Sequence, residues 1–308
     1  MHFIVRRFRG KSIELVFNLH GTTGVEIALF ALNDLTQKID FSIKNLSNQF
    51  LKPWNTMKMG MNVFKIQENR NWLNVYYKDV RYGMKVLIEF ISNLFNKEVD
   101  SVFINKNTVW MMNLVERLQG SSYTAIITHT HGETFNRFSD KEFMDILIRR
   151  NPKRLDIFHS PSNEFRFENY NKQYDRVLFR SGHWITLENL LTLDCIELFI
   201  AEDKLTSMDT NMFLKHWIQG GKSRLKVITF RVQDYEEDEV YADIKGFLKN
   251  VPGEQVYQAV RNELKFDGQL IVKEDSVMAS ILYRPMSKRF TLAVWPDING
   301  KRVEELLE

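Results

Sequence analysis

Hydrophobic and polar residues alternate along the first eighty residues of the chain. Ile13, Leu15, Phe17 and Leu19 are interrupted by Glu14 and Asn18, the period of two expected of a strand with one buried face. Gly21-Thr-Thr-Gly24 breaks this run. Ile39, Phe41 and Ile43 alternate in the same way with Asp40, Ser42 and Lys44, and Leu73, Val75 and Tyr77 form a third alternating set. A strand-rich N-terminal segment, residues 1–80, is expected, and no catalytic signature appears in it.

Near residue 84 the period changes. Met84, Leu87, Ile88, Ile91, Leu94 and Phe95 follow the spacing of an amphipathic helix. A short apolar strand, Val102-Phe-Ile104, precedes a helix with Met111, Leu114, Val115 and Leu118 on one face, for which Asn107 or Thr108 is a suitable cap and Gly120 a stop. Ala125-Ile-Ile127 is the next strand. Ser139-Asp-Lys-Glu142 is a capping box opening a helix that ends before Asn151-Pro152. The strand Leu155-Asp-Ile-Phe158 follows, then a short helix at Leu187–Leu191 and the strand Ile196–Ile200. Thr206 caps a helix carrying Phe213, Leu214, Trp217 and Ile218, which Gly220-Gly221 ends, and Leu225–Val232 is the last strand of the series.

Strand starts thus fall near 102, 125, 155, 196 and 225, mostly 23 to 30 residues apart, with an irregular aromatic-rich insert around Phe165–Phe179 in the widest gap. Strand plus helix at such a period predicts an α/β fold built as an irregular leucine-rich-repeat-like solenoid. A doubly wound sheet also alternates strand and helix, but no strand here is followed by G-x-G-x-x-G and the units are short for it. In the tail, Val256–Leu264 reads as a helix. Leu270–Val272, Val277–Leu282 and Phe290–Trp295 read as an antiparallel meander that would cap the solenoid. The expected organisation is therefore residues 1–80 followed by a recognition domain over 81–308. In that domain the solenoid runs to about 235 and a capping helix with the meander occupies 240–308.

Composition narrows the class without naming a function. The 308 residues are 44% hydrophobic and 26% charged, with 14 Gly and 6 Pro, which excludes collagen and broad disorder. A single cysteine, Cys195, excludes an intrachain disulfide framework and any Cys-cluster metal site. Apolar runs such as Ile27–Leu32 are far shorter than a membrane span, and charge enters too early at Arg6 and Arg7 for a signal peptide. An intracellular location, cytoplasmic or nuclear, is expected. The formal charge of +3 carries little information. Basic residues cluster at Arg6–Lys11 and Arg149–Arg154, but the acidic run Asp234–Glu239 offsets them. No nucleic-acid motif accompanies them, and Arg149 and Arg150 suit a helix C-terminus.

Three local patterns invite chemistry. Gly220-Gly221-Lys222-Ser223 resembles the end of a phosphate-binding loop, but His216 stands where the first Gly belongs. The segment also leaves a helix for a strand, the reverse of a phosphate loop, so a helix C-cap is the better reading. His129 and His131 share a face if on a strand, with Glu133 close by, the spacing of a metal site or of ordinary loop-edge histidines. Cys195 precedes an apolar strand with no histidine at useful spacing and reads as a buried thiol. No catalytic residue, metal site or cofactor is assigned from these patterns.

A fourth pattern concerns recognition. If Val102, Ile104, Ile157, Leu198 and Ile200 face the helices, alternation turns Phe103, Phe158 and Phe199 to the other face, with Asp156 and Glu197 beside them. Aromatics are favoured in interface cores, so these five residues are candidate protein-binding positions. An error of strand parity, or a further layer over this face, is the competing account.

The segment Leu190-Leu-Thr-Leu-Asp-Cys-Ile-Glu-Leu198 leads to Leu205-Thr-Ser-Met-Asp-Thr-Asn-Met-Phe-Leu-Lys-His-Trp-Ile218, then Gly220-Gly221 and Arg224-Leu225. Together they resemble the type 2 F-box-associated domain of the nematode F-box protein families. The shared features are a double leucine ahead of a cysteine, a Thr-capped helix ending in Lys-x-Trp, and a Gly followed by Arg-Leu at a strand entry. The resemblance implies a non-enzymatic protein-interaction module, the substrate-recognition part of a ubiquitin-ligase adaptor whose F-box recruits a Skp-type adaptor and cullin. Residues 1–40 lack the helical segment opening with Leu-Pro that an F-box would show, so the ligase-recruiting half is expected to be missing or altered. Two alternatives remain. One is an interaction or decoy protein without ligase linkage; the other is a metal-dependent enzyme using His129 and His131.

Overall fold

In the computed structural model the described residues are 13–18, 25–31, 34–45, 55–68, 72–128, 137–168, 170–202, 204–260, 262–273 and 276–303. They form a mixed α/β protein, rich in strands and with few helices, that divides into two compact units, 1–136 and 137–308. Residue 80, where the sequence period changes, lies inside the first unit. No helix among the described residues is long and apolar enough to cross a membrane.

In the first unit the alternating segments are strands. These are β1 (Ile13–Asn18), β2 (Val25–Ala31), β3 (Asp34–Asn45), β4 (Asn55–Met59), β5 (Asn62–Glu68) and β6 (Trp72–Tyr77). The hairpin β4–β5 turns at Gly60, whose φ of 59° suits a residue without Cβ. Asp79 then accepts hydrogen bonds from the Arg81 and Tyr82 N–H groups and opens α1 (Val80–Phe95), which buries Met84, Leu87, Ile88 and Ile91. β7 (Ser101–Ile104) pairs in parallel with β1 and with β8 (Thr124–Ile127), and α2 (Trp110–Gln119) connects β7 to β8. The expected cap of α2 is absent. Val109 occupies the N-cap position without a side-chain bond, because the Thr108 hydroxyl accepts the Asn105 N–H at 3.0 Å in the preceding turn.

The second unit begins with α3 (Asp140–Arg149), where Ser139 and Glu142 form the reciprocal capping box read from the sequence. Four parallel strands follow in chain order, each beside the next. They are β9 (Arg154–Ile157), β10 (Gln173–Phe179), β11 (Asp194–Ile200) and β12 (Val227–Arg231). α4 (Leu187–Thr192) and α5 (Ser207–Ile218) connect the last three, each opened by a capping box from Thr186 and Thr206. β10 lies where an irregular insert was expected. The insert is confined to the loop before it, whose Phe165 and Tyr170 pack with Phe143, Phe179 and Trp184 into an aromatic cluster. Burying five large rings offsets the ordering of a loop that has little hydrogen-bonded structure of its own.

The tail departs from the sequence reading in its hairpin and in an additional edge strand. Val256–Leu264, expected as a helix, belongs to a hairpin of β14 (Gln255–Gln258) and β15 (Glu263–Phe266). Gln255 and Tyr257 are buried while Val256 and Gln258 are half-exposed, a period of two. The meander is as anticipated. β16 (Gln269–Val272), β17 (Met278–Arg284) and β18 (Arg289–Val294) are antiparallel, and β18 joins the parallel strands through β12. A one-turn helix α6 (Glu237–Val240) within the acidic run leads to β13 (Leu248–Asn250) at the far edge of this sheet.

Candidate functional site

Strand register in the second unit sets out the chemistry of one sheet face. Leu155, Ile157, Val177, Phe179, Leu198 and Ile200 are buried, the side that carries the helices. On the other side, register aligns Asp156, Leu178, Phe199, Thr229, Thr291 and Leu282 in one row across five strand pairings. A second row holds Arg176, Glu197, Val227, Ala293 and Ser280. Phe158 and Phe199 are both half-buried and each lies beneath a guanidinium. Arg180 Cζ stands 5.4 Å from the Phe158 ring centroid and Arg289 Cζ 5.1 Å from that of Phe199.

This face is not bare, which was the competing account of it. The β14–β15 hairpin packs over the second row. Tyr257, Ala259 and Phe266 form a buried cluster with Val227, Ala293 and Trp295, and the Tyr257 hydroxyl donates to the Val294 carbonyl at 3.2 Å. Gln255, only 2% exposed, accepts the Ser280 hydroxyl at 2.8 Å, and Trp295 Nε1 donates to the same hydroxyl at 2.9 Å. The hairpin leaves Leu178, Phe199, Thr229, Thr291 and Leu282 of the first row as the floor of a cavity of about 290 Å³. Phe199, Thr229, Thr291 and Leu282 line it from the sheet and Leu264 from the hairpin.

The two carboxylates of the candidate patch are already engaged. Asp156 is 4% exposed and both its oxygens accept from Arg176 Nη2, at 2.6 and 2.5 Å. Glu197 Oε1 accepts the Val260 N–H at 3.0 Å, fastening the turn of the hairpin to the sheet. Phe103 lies in the first unit, on β7, half-buried between the buried Val102 and Ile104. His129, His131 and Glu133 fall outside the described residues. Among the described residues no group of three or more His, Cys, Asp or Glu could hold a metal ion.

The other sequence patterns resolve as local architecture. Gly220 has φ 94° and donates to the Trp217 carbonyl, and Gly221 donates to the His216 carbonyl, a helix C-terminus. The Lys222 ammonium donates to the Leu193 carbonyl, and burial lowers its pKa to about 8. Burial pushes the Cys195 thiol up to about 12, which keeps it protonated and a poor nucleophile. Arg224 bridges Asp175 and Asp194 at 3.2 Å each, and Asn211 donates to the Val240 and Ala242 carbonyls at 2.9 and 2.8 Å.

Sequence reasoning passed over Arg180, Arg231, Arg284 and Arg289. Their signal is their place two positions beyond Leu178, Thr229 and Leu282, or before Thr291, but it becomes visible only once β10 and the strand pairing are known.

Residues 166–230 match the family model described as F-box associated. The matched segment runs from the aromatic loop to Phe230 within β12 and so contains Arg176, Glu197, Phe199 and Thr229 of the cavity. No curated protein and no solved structure matches the chain.

Proposed function

We propose that the chain is a non-enzymatic protein-interaction module, the substrate-recognition part of an F-box-type ubiquitin-ligase adaptor acting in the cytoplasm or nucleus. The match of residues 166–230 to the F-box associated family carries this reading. In it, the strand–helix series is an irregular leucine-rich-repeat-like solenoid, and the partner protein docks on the sheet face around Phe199. That face has the features of an interaction site. A half-buried aromatic sits on the floor of a cavity that Leu264 and Leu282 also line, with arginine beside it, the residue types enriched where binding energy concentrates. Skp-type adaptor and cullin join only through an F-box.

Affinity purification of the tagged full chain, beside a Phe199→Asp variant, tests the reading. Partners retained by the parent chain and lost from the variant, at an unchanged melting temperature, support it. Partners held equally by both place binding elsewhere and refute it. A Skp-type adaptor in both samples supports ligase linkage. Its absence from both leaves an interaction or decoy protein.

A further inference from the structure

The open face carries a charge arrangement that folding alone does not favour. Register places Arg231 directly opposite Arg289, and Arg289 directly opposite Arg284, on three adjacent antiparallel strands. Like charges directly opposite one another on a sheet are destabilising. Arg180 stands at the same end of β10, over Phe158. Among the described residues, no carboxylate lies within ion-pair distance of Arg180, Arg284 or Arg289. Two of these guanidiniums lie over phenylalanine rings, at cation–π distance, which holds them on this face and spares some of the ordering a ligand would otherwise impose. Below them the cavity offers Phe199, Leu282 and Leu264 for one apolar side chain and the Thr229 and Thr291 hydroxyls, 3.1 Å apart, as polar contacts.

We propose that this face binds an extended acidic segment of a partner protein, its carboxylates on Arg284 and Arg289 and one apolar side chain in the cavity. The inference rests on the protein-binding reading above and specifies the chemistry of the partner. Guanidinium forks match carboxylates in a paired, planar geometry, so a row of arginines selects acidic side chains by shape as well as charge. Among the described residues no carboxylate pairs with Arg284 or Arg289. Asp156 belongs to Arg176, Glu197 holds the Val260 N–H, and Lys265, also at the cavity, pairs with Glu254 at 2.9 Å. Nucleic acid fits less well. Single strands need uncovered aromatic faces for base stacking, whereas Phe158 and Phe199 already carry arginines.

Fluorescence anisotropy on the full chain tests this with a labelled repeat of Asp-Glu-Leu, its Asn-Gln-Leu counterpart and an oligothymidylate. The acidic peptide is expected to bind at least about tenfold more tightly than the neutral one, and more weakly as salt rises. The Arg284→Glu/Arg289→Glu variant should lose that advantage while its melting curve stays that of the parent. Arg284→Gln/Arg289→Gln, which removes the charge without reversing it, should lose part of it. Equal binding of acidic and neutral peptides, no binding of either, unchanged binding by the folded charge-reversal variant, or tighter binding of the oligonucleotide each overturns the inference. If Phe199→Asp abolishes partner capture while the charge reversal does not, the protein-binding reading stands and the acidic partner falls. If neither variant affects capture, both fall.

Discussion

Arg176 on β10 reaches diagonally to Asp156 on β9, their side chains 9% and 6% exposed and one guanidinium nitrogen bonded to both carboxylate oxygens. Removing ions from water costs several kcal/mol each, and only the partner's charge and hydrogen bonds offset it. Asp156→Ala leaves Arg176 buried and unpaired and is expected to cost about 3–5 kcal/mol, read as a lower urea midpoint. Asp156→Leu with Arg176→Met should recover most of that loss, since neither charge is then left buried. If the double variant is no more stable than the single, the pair is not the source of the effect.

A second prediction concerns glycine geometry. Gly268 lies between β15 and β16 with φ 88°, and a Cβ there would meet the Val251 carbonyl oxygen at 2.1 Å. Both the left-handed backbone and a rigid carbonyl oppose a side chain, so Gly268→Ala should destabilise by more than about 2 kcal/mol. Gly246 has open space around the same construction and an ordinary φ. Gly246→Ala should be neutral or slightly stabilising, by up to about 1 kcal/mol, through loss of unfolded-state freedom. Chemical denaturation of the two variants side by side checks the contrast.

How far the sequence can be read follows from which interactions are local. Ser139 with Glu142, and Thr206 with Asp209, are decided within four residues, and both capping boxes are where the sequence puts them. β10 was hidden because Tyr174, Val177 and Phe179 sit amid Phe165, Phe167 and Tyr170, so aromatic density masks the alternation. Val256, Val260 and Leu264 fall at helical spacing, so the sequence of β14 and β15 predicts a helix. The residues actually buried, Gln255 and Tyr257, are fixed by distant partners, Ser280 and Val294. The same limit governs the site. Phe158 and Phe199 follow from strand parity, but the cavity, the hairpin wall and the arginine row need long-range pairings, such as Phe199 with Thr229 and Thr229 with Thr291, 62 positions apart.

Cys195 supplies a direct probe of the packing in the second unit. It is the sole cysteine of the chain, it is buried, and its pKa is raised to about 12 by that burial. At pH 8 the native protein should therefore give almost no reaction with Ellman's reagent, whereas protein unfolded in guanidinium should release one thiolate equivalent rapidly. Rapid labelling of the native chain would contradict the burial of β11.

Lys222 should leave its mark on stability in mildly alkaline solution. Its folded pKa is lowered from 10.5 to about 8, chiefly by desolvation, so between those values the unfolded chain holds a proton that the folded chain has released. Stability from this group therefore rises as pH increases from about 8 and levels off near 10.5. Cys195 acts in the opposite sense. Its folded pKa is raised from 9.0 to about 12, so above 9 the unfolded thiol ionises first and stability falls. The window from pH 8 to 9 isolates the lysine. Over that window the stability difference between the parent chain and Lys222→Met, from urea unfolding at matched ionic strength, should move in favour of the parent as pH rises. A difference that is flat, or that moves the other way, would show that Lys222 keeps its proton when folded, held by the Leu193 carbonyl.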